Sequence, residues 1–195
     1  MGITLSAGKN VVLQAFDPAR VIATFGEQAI THVLMVPAMI KMVLNHPDAE
    51  VADVSSLECI LYGASPMPPA TLEQCMALWP DVGLAQAYGQ TELAPYHTIL
   101  KAEDALTKLG SAGMGGLNME TRLEAEDGQP IDTVKTPGEI CGKGPHALTM
   151  YFKDPEKTKE AFDGEWFSAG DMARRDQDGY YYLVDRKANM IITGG

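Results

Sequence analysis

Strand-like and helix-like segments alternate over residues 17–89, and this alternation restricts the possible fold more than any other feature. Asp17 followed by Pro18 predicts a helix that runs to residue 30, because Asp is a favourable N-cap and Pro a favourable first helical residue. We predict further helices at 38–47 and 69–80, a buried strand within 32–37, and strands within 57–69 and 82–89. This order is typical of a parallel α/β layer, in which ligands bind at the carboxyl ends of the strands.

The pattern changes near residue 110. Residues 110–118 are rich in glycine, and we predict a linker there. Beyond it, short strands flank Asp-Gly turns, as in antiparallel hairpins. We therefore predict two domains, an α/β subdomain over 1–109 and a β-rich, barrel-like subdomain over 110–195.

Composition excludes several classes of function. The net charge is −11 and both halves of the chain are acidic, which gives no electrostatic basis for binding nucleic acid. No stretch resembles a membrane span or a secretory leader, so we expect a cytoplasmic protein without a transmembrane segment. The three cysteines show no CxxC spacing, which argues against a zinc site or a disulfide framework.

Thr91 and Glu92 follow a Tyr-Gly corner at the end of the third predicted strand. Taken alone, they fit a local cap of the next turn. A nucleotide site would instead use the hydroxyl for a phosphate and the carboxylate for a metal ion. His97 lies close behind this turn. The glycines at 110–116 lack the Lys-Ser/Thr of a phosphate-binding loop.

Six short motifs follow one another along the chain: YGASPMP (62–68), AYGQTE (87–92), GEI (138–140), WFSAGD (166–171), DGYYYLVDR (178–186) and MIITGG (190–195). Together they resemble the adenylate-forming enzymes, which include acyl-CoA synthetases, luciferases and peptide-synthetase adenylation domains. The resemblance is greatest to bacterial fatty-acyl-CoA synthetases. It implies that the chain is part of their large N-terminal domain, with an α/β subdomain followed by a distorted barrel that ends at an interdomain hinge.

The resemblance also implies roles for individual residues. Thr91 matches the hydroxyl that contacts the α-phosphate of ATP, and Glu92 matches the Mg²⁺ ligand. Tyr88 matches the aromatic residue beside adenine, Asp171 the carboxylate that accepts both ribose hydroxyls, and Arg186 an arginine facing ribose and phosphate. Further nucleotide contacts are implied for Gly63, Ala64, Ser65, Ala87, Gly89 and Leu183, and acyl-group contacts for Val36, Gly63, Gly89 and Leu93. His97 could also border the acyl pocket.

The function implied is ATP-dependent activation of a carboxylic acid, most simply a fatty acid, as an acyl-adenylate, followed by transfer to coenzyme A. ATP or AMP, Mg²⁺ and coenzyme A are the expected cofactors. The family's phosphate loop and its C-terminal lysine domain are not in the sequence, so we expect this chain to bind nucleotide at best and to self-associate through exposed surfaces. Ala169 and Ala188 also depart from the family pattern. A non-catalytic nucleotide- or partner-binding module, or a luciferase- or peptide-synthetase-like enzyme, remains an alternative.

Overall fold

The structure is a computed structural model that describes residue 4 and residues 6–186. The chain divides into two compact units, Met1–Gly83 and Leu84–Gly195. This division lies before the predicted subdomain boundary after residue 109, which stays a prediction.

Over residues 6–83, the first unit contains three helices, two strands and a 3₁₀ turn. They are α1 (Pro18–Glu27), β1 (His32–Met35), α2 (Pro37–Leu44), the 3₁₀ turn (Pro47–Val51), β2 (Cys59–Gly63) and α3 (Pro69–Leu78). Each helix begins at a proline, where the missing N–H costs nothing. The predicted start of α1 is confirmed, since the Asp17 carboxylate accepts a hydrogen bond from the Arg20 N–H at 2.8 Å. Among the described residues, no helix has the length and apolarity to cross a bilayer.

Strands β1 and β2 form the predicted parallel pair, from His32 opposite Cys59 to Met35 opposite Tyr62. The side chain of Met35 is buried, but Leu34 is 64% exposed. The prediction that β1 is fully buried is therefore wrong. Among the described strands β1 has a neighbour on one side only, which leaves part of its apolar surface open to solvent.

The core of the first unit lies between the helices and these strands. Phe25 and Trp79 meet edge to face with ring centroids 6.0 Å apart, and the Trp79 indole N–H donates to the Ala49 carbonyl. The predicted inner face of α3 is largely confirmed, because Leu72 and Cys75 are buried. The Met76 side chain, predicted to be buried with them, is only half-buried.

The second unit is built mainly from antiparallel strands. Its described strands and helix are β3 (Gly83–Tyr88, which begins at the unit boundary), β4 (Thr98–Leu100), β5 (Met114–Gly115), β6 (Glu120–Glu124), β7 (Gly138–Lys143), α4 (Pro155–Glu160), β8 (Phe162–Asp163), β9 (Trp166–Arg175) and β10 (Tyr181–Arg186). Strands β3, β4 and β5 pair in that order. A second sheet has the order β10-β9-β7-β6, with β8 on β9. Over the described residues this sheet stays open, so the expected barrel is not closed.

The glycine-rich segment is packed against neighbouring strands, and its prediction as a linker is wrong. Ser111 and Ala112 are buried, and the Ser111 hydroxyl donates to the Tyr181 carbonyl at 2.9 Å. A Cβ at Gly113 would overlap the Ile99 carbonyl. Glycine is used here because two backbones approach closely, a role that composition alone does not distinguish from flexibility.

Candidate functional site

Tyr88, Asp171 and Arg186 form a polar network in the second unit. The Tyr88 hydroxyl, at the end of β3, donates to Asp171 Oδ2 at 2.7 Å. Arg186 lies opposite Asp171 in the β9–β10 ladder, and its Nε is 3.6 Å from Asp171 Oδ1. Burial and the Asp171 carboxylate both raise the pKa of the Tyr88 phenol, which therefore remains a hydrogen-bond donor. The structure thus brings together three predicted site residues that are far apart in sequence.

A tight return of the chain after Tyr88 shapes this site. The His97 N–H donates to the Tyr88 carbonyl at 2.8 Å. At Gly89, an added Cβ would overlap the Pro95 carbonyl oxygen and lie 2.7 Å from the His97 nitrogen. The close approach of these backbones requires glycine. We name residues 88–97 the second corner, and residues 62–68, which begin with the last two residues of β2, the first corner.

Thr91 and Glu92 form a 3₁₀ turn, Thr91–Leu93, within the second corner. The Thr91 side chain is exposed, and Glu92 is half-buried. The Tyr151 hydroxyl donates to Glu92 Oε1 at 2.9 Å, and the Leu148 N–H donates to the Glu92 carbonyl at 2.7 Å. The Glu92 carboxylate is therefore held through Oε1 by the Tyr151 hydroxyl. Sequence reasoning missed Tyr151, because no local pattern connects residues that are 59 positions apart.

His97 lies behind the Tyr88 ring. The two rings stack with centroids 5.8 Å apart, and the His97 side chain is fully buried, with neither ring nitrogen hydrogen-bonded among the described residues. Burial lowers the pKa of His97 to about 4, although the nearby Cys141 backbone opposes this shift. His97 is thus neutral at pH 7 and supports the Tyr88 ring. Its expected place beside an acyl pocket stays a prediction.

The other predicted site residues have varied environments. Ala87 is buried, Gly89 and Leu183 are exposed, and Leu93 is fully buried against Met119 and Phe167. Gly63, Ala64, Ser65 and Val36 belong to the first unit, where Ala64 adopts a positive φ of 68° and is exposed with Ser65. Nothing in the structure tests their roles. Ala188 and the motif at 190–195 lie outside the described residues.

The carboxylates of Glu92 and Asp171 are suited to binding a nucleotide together with its metal ion. The described residues contain no group of three His, Cys, Asp or Glu side chains that could hold a metal ion. Mg²⁺ is commonly held by one or two carboxylates together with substrate phosphates. The half-buried Glu92 carboxylate, with only Oε1 bonded to Tyr151, suits that mode of binding. Asp171 also has unused lone pairs, since a carboxylate accepts about four hydrogen bonds.

Comparisons with known proteins agree with the sequence motifs. Residues 1–152 match the family described as AMP-binding enzyme. A medium/long-chain-fatty-acid–CoA ligase of Mycobacterium tuberculosis is 39% identical over 98% of this chain and 33% of its own length. A feruloyl-CoA synthase of an Amycolatopsis species is 38% identical over 98% of this chain and 39% of its own length. The chain thus spans little more than a third of these relatives.

Solved structures agree as well. O-succinylbenzoate coenzyme A synthetase from Bacillus subtilis, unliganded, superposes with a TM-score of 0.90 at 29% identity, over 99% of this chain and 41% of that one. The same enzyme in complex with ATP and magnesium gives a TM-score of 0.89, over 99% of this chain and 39% of that one. The fold is that of the N-terminal domain of acyl-CoA synthetases, and the chain belongs to the AMP-binding enzyme family.

Proposed function

We propose that this chain supplies the adenosine, α-phosphate and metal-binding wall of an ATP-dependent acyl-CoA synthetase. The observation that carries the proposal is the Tyr88–Asp171–Arg186 network, which the fold assembles from three separate strands. Asp171 would accept the ribose hydroxyls, Tyr88 would flank the adenine, and Arg186 would face the ribose and phosphates. Thr91 would donate to the α-phosphate.

The reaction joins two anions, and the site must therefore reduce their repulsion. The carboxylate of the acid attacks the α-phosphorus of ATP, an O–P bond forms, and pyrophosphate leaves. The coenzyme A thiol then attacks the acyl carbon and AMP leaves. Mg²⁺, when bound, would neutralise phosphate charge. Glu92, fixed by Tyr151 on one oxygen, would be its protein ligand.

The acid and its binding residues are also part of the proposal. Val36, Gly63, Gly89 and Leu93 would lie along the acyl group, with Gly63, Ala64, Ser65, Ala87 and Leu183 near the nucleotide. Relatives of similar identity are named for medium- and long-chain fatty acids, ferulate and indoleacetate. A fatty acid is our choice, and an aromatic acid is the alternative that these relatives favour. Adenylation with a panel of fatty and aromatic acids, on a longer protein that contains this chain, tests the choice.

The chain alone should bind nucleotide without turnover. Removing a single preorganised donor from a transition-state site costs roughly 10²–10³ in rate, and this chain spans only 33% and 39% of the length of two of its relatives. We further expect self-association through unpaired strand edges such as β1, and a cytoplasmic location. ATP–pyrophosphate exchange at a rate typical of a full enzyme would contradict the proposed inactivity.

Calorimetric titration with AMP, and with ATP plus Mg²⁺, tests the nucleotide proposal. We expect binding by the native chain and much weaker binding by Asp171→Ala. Asp163→Ala is a matched control, because Asp163 is an exposed carboxylate at 3.9 Å from Arg122 and has no contact with the network. Equal binding by native protein and Asp171→Ala would contradict the ribose assignment, and no binding by the native chain would contradict the proposed function of this chain.

A further inference from the structure

The peptide group between Ala169 and Gly170 is held at both of its polar atoms by side chains from other elements. Gln90 Nε2, in the second corner, donates to the Ala169 carbonyl at 3.2 Å. The Gly170 N–H donates to Glu139 Oε1, on β7, at 3.1 Å. The next residue is Asp171. One rigid peptide plane is thus fixed from two directions immediately before the carboxylate of the candidate site.

This peptide lies in an irregular part of the β7–β9 ladder. Glu139 pairs with Met172 and Cys141 pairs with Ser168, so Ile140 alone faces residues 169–171. Bulges of this kind change the direction of a side chain and are frequent beside active sites. A bulged strand also loses ladder hydrogen bonds, and its orientation then depends on other partners. Here the partners are Gln90 and Glu139.

Glu139 occupies a position that is unfavourable for a carboxylate unless the carboxylate is well bonded. Its side chain is buried, and Glu124, also buried, lies directly opposite on β6. Like charges directly opposite in a sheet destabilise it. Glu124 is paired with Arg122, whose Nη2 is 2.6 Å from Glu124 Oε1, whereas Glu139 is directed to the bulge. The hydrogen bond from the Gly170 N–H is thus a specific interaction of the buried Glu139 carboxylate with the bulge.

We propose that Glu139 and Gln90 are positioning residues that clamp the 169–170 peptide and thereby fix the Asp171 carboxylate against the Tyr88 hydroxyl, in the orientation that the ribose requires. The role of this orientation in binding ribose rests on the proposed function, whereas the clamp itself does not. Neither residue needs to contact the nucleotide. Sequence reasoning included both in motifs but gave them no role.

The clamp is tested first without nucleotide, by amide hydrogen exchange at Gly170 measured by NMR. Glu139→Leu removes the acceptor at similar volume, and we expect exchange to be roughly tenfold faster, as for loss of one hydrogen bond. Glu139→Gln keeps an acceptor oxygen and should restore native protection. Glu124→Leu is the matched control, because it removes the opposite buried carboxylate and leaves Gly170 bonded. Unchanged exchange in Glu139→Leu would overturn the proposal.

The second measurement is the affinity for AMP. Glu139→Leu should raise Kd roughly tenfold, and Glu139→Gln should not. If Glu139 acts through Asp171, the double variant Glu139→Leu/Asp171→Ala should bind no more weakly than Asp171→Ala alone. The effect of Glu139→Leu should also be smaller with 2′-deoxy-AMP, which lacks one ribose hydroxyl. Additive losses, or equal losses with both nucleotides, would show a general structural role and overturn the positioning role.

Gln90→Met provides a second variant in case Glu139→Leu does not fold. It removes the donor to the Ala169 carbonyl from a half-buried position, and we expect faster Gly170 exchange and weaker AMP binding. If native protein binds no AMP, the proposed function fails, and Gly170 exchange in Gln90→Met and Glu139→Gln still decides for or against the clamp. Native-like exchange in Gln90→Met would count against it.

Discussion

The two corners begin with the same Tyr-Gly pair at the end of a strand, yet they use it differently. In the first corner, Tyr62 is 2% exposed, and burial raises the pKa of its phenol to about 12. In the second corner, Tyr88 is half-buried and its hydroxyl holds the Asp171 carboxylate. The first tyrosine acts as a large apolar side chain and the second as a hydrogen-bond donor. The dipeptide therefore marks the end of a strand, whereas its surroundings decide its chemistry.

The largest effect should come from the backbone of the second corner. Gly89→Ala would place a Cβ into the Pro95 carbonyl, and we expect a loss of about 3 kcal/mol in the free energy of unfolding. Gly116→Ala is the control, because a Cβ there meets nothing closer than 3.4 Å. Urea denaturation of both variants measures the difference. Equal stability of the two would mean that the corner relaxes easily and that its geometry does not depend on glycine.

Acid should weaken the second corner through His97. Its pKa is lowered to about 4 in the folded state, against an ordinary value of 6.5. The unfolded chain binds this proton first as the pH falls, so stability is full above pH 6.5 and is lost between pH 6.5 and 4. The loss should be at most about 3.5 kcal/mol. The measurement is the difference between native and His97→Gln unfolding free energies across this range, because carboxylate effects occur in both proteins. A flat difference would contradict the prediction.

Removal of the two hydroxyls compares the corners directly. Tyr88→Phe deletes a hydrogen bond to a carboxylate, and we expect a loss of about 1.5 kcal/mol in the free energy of unfolding. Tyr62→Phe should cost less than about 0.5 kcal/mol, because the ring still fills the same buried space. Urea denaturation at pH 7 measures both. A larger loss for Tyr62→Phe would reverse our distinction between the corners.

The smallest effect concerns a residue of the first corner with positive φ. Ala64 has a φ of 68° and is exposed, and an L-residue other than glycine is strained there by roughly 1 kcal/mol or more. Ala64→Gly relieves this strain but increases the entropy of the unfolded chain. We expect a net gain of about 0.5 kcal/mol in the free energy of unfolding, measured by thermal denaturation. A clear loss would show that the Ala64 methyl group makes a contact that matters.

Local chemistry made the fold partly predictable. The start of α1 at Pro18 depends on the Asp17 side chain and a neighbouring N–H, and both are visible within four residues. The exposure of β1 and the packing of the glycine-rich segment were not predictable, because burial depends on neighbours from distant parts of the chain. Periodicity reports which face is apolar, not what covers it.

The candidate site was predictable to the same limited extent. Tyr88, Asp171 and Arg186 could be chosen because each lies in a motif, and the structure brings them together. Tyr151 lies in none of the motifs. Glu139 lies in the GEI motif, but the motif gave no role to this glutamate, although a glutamate inside an apolar strand was a hint. Their roles depend on bonds that span 59 and 31 positions. Such bonds follow from the path of the chain rather than from any local pattern.

The hydrogen bond from the Gln90 side chain to the main chain at residue 169 does not depend on which amino acid occupies position 169. Gln90 reaches a main-chain carbonyl, and every amino acid supplies one. The side chain at position 169 packs against an apolar cluster and takes no part in the bond. Ala169, which departs from the family pattern, therefore leaves that bond intact. The hydrogen bond itself therefore sets no requirement on the chemical type of the side chain at position 169.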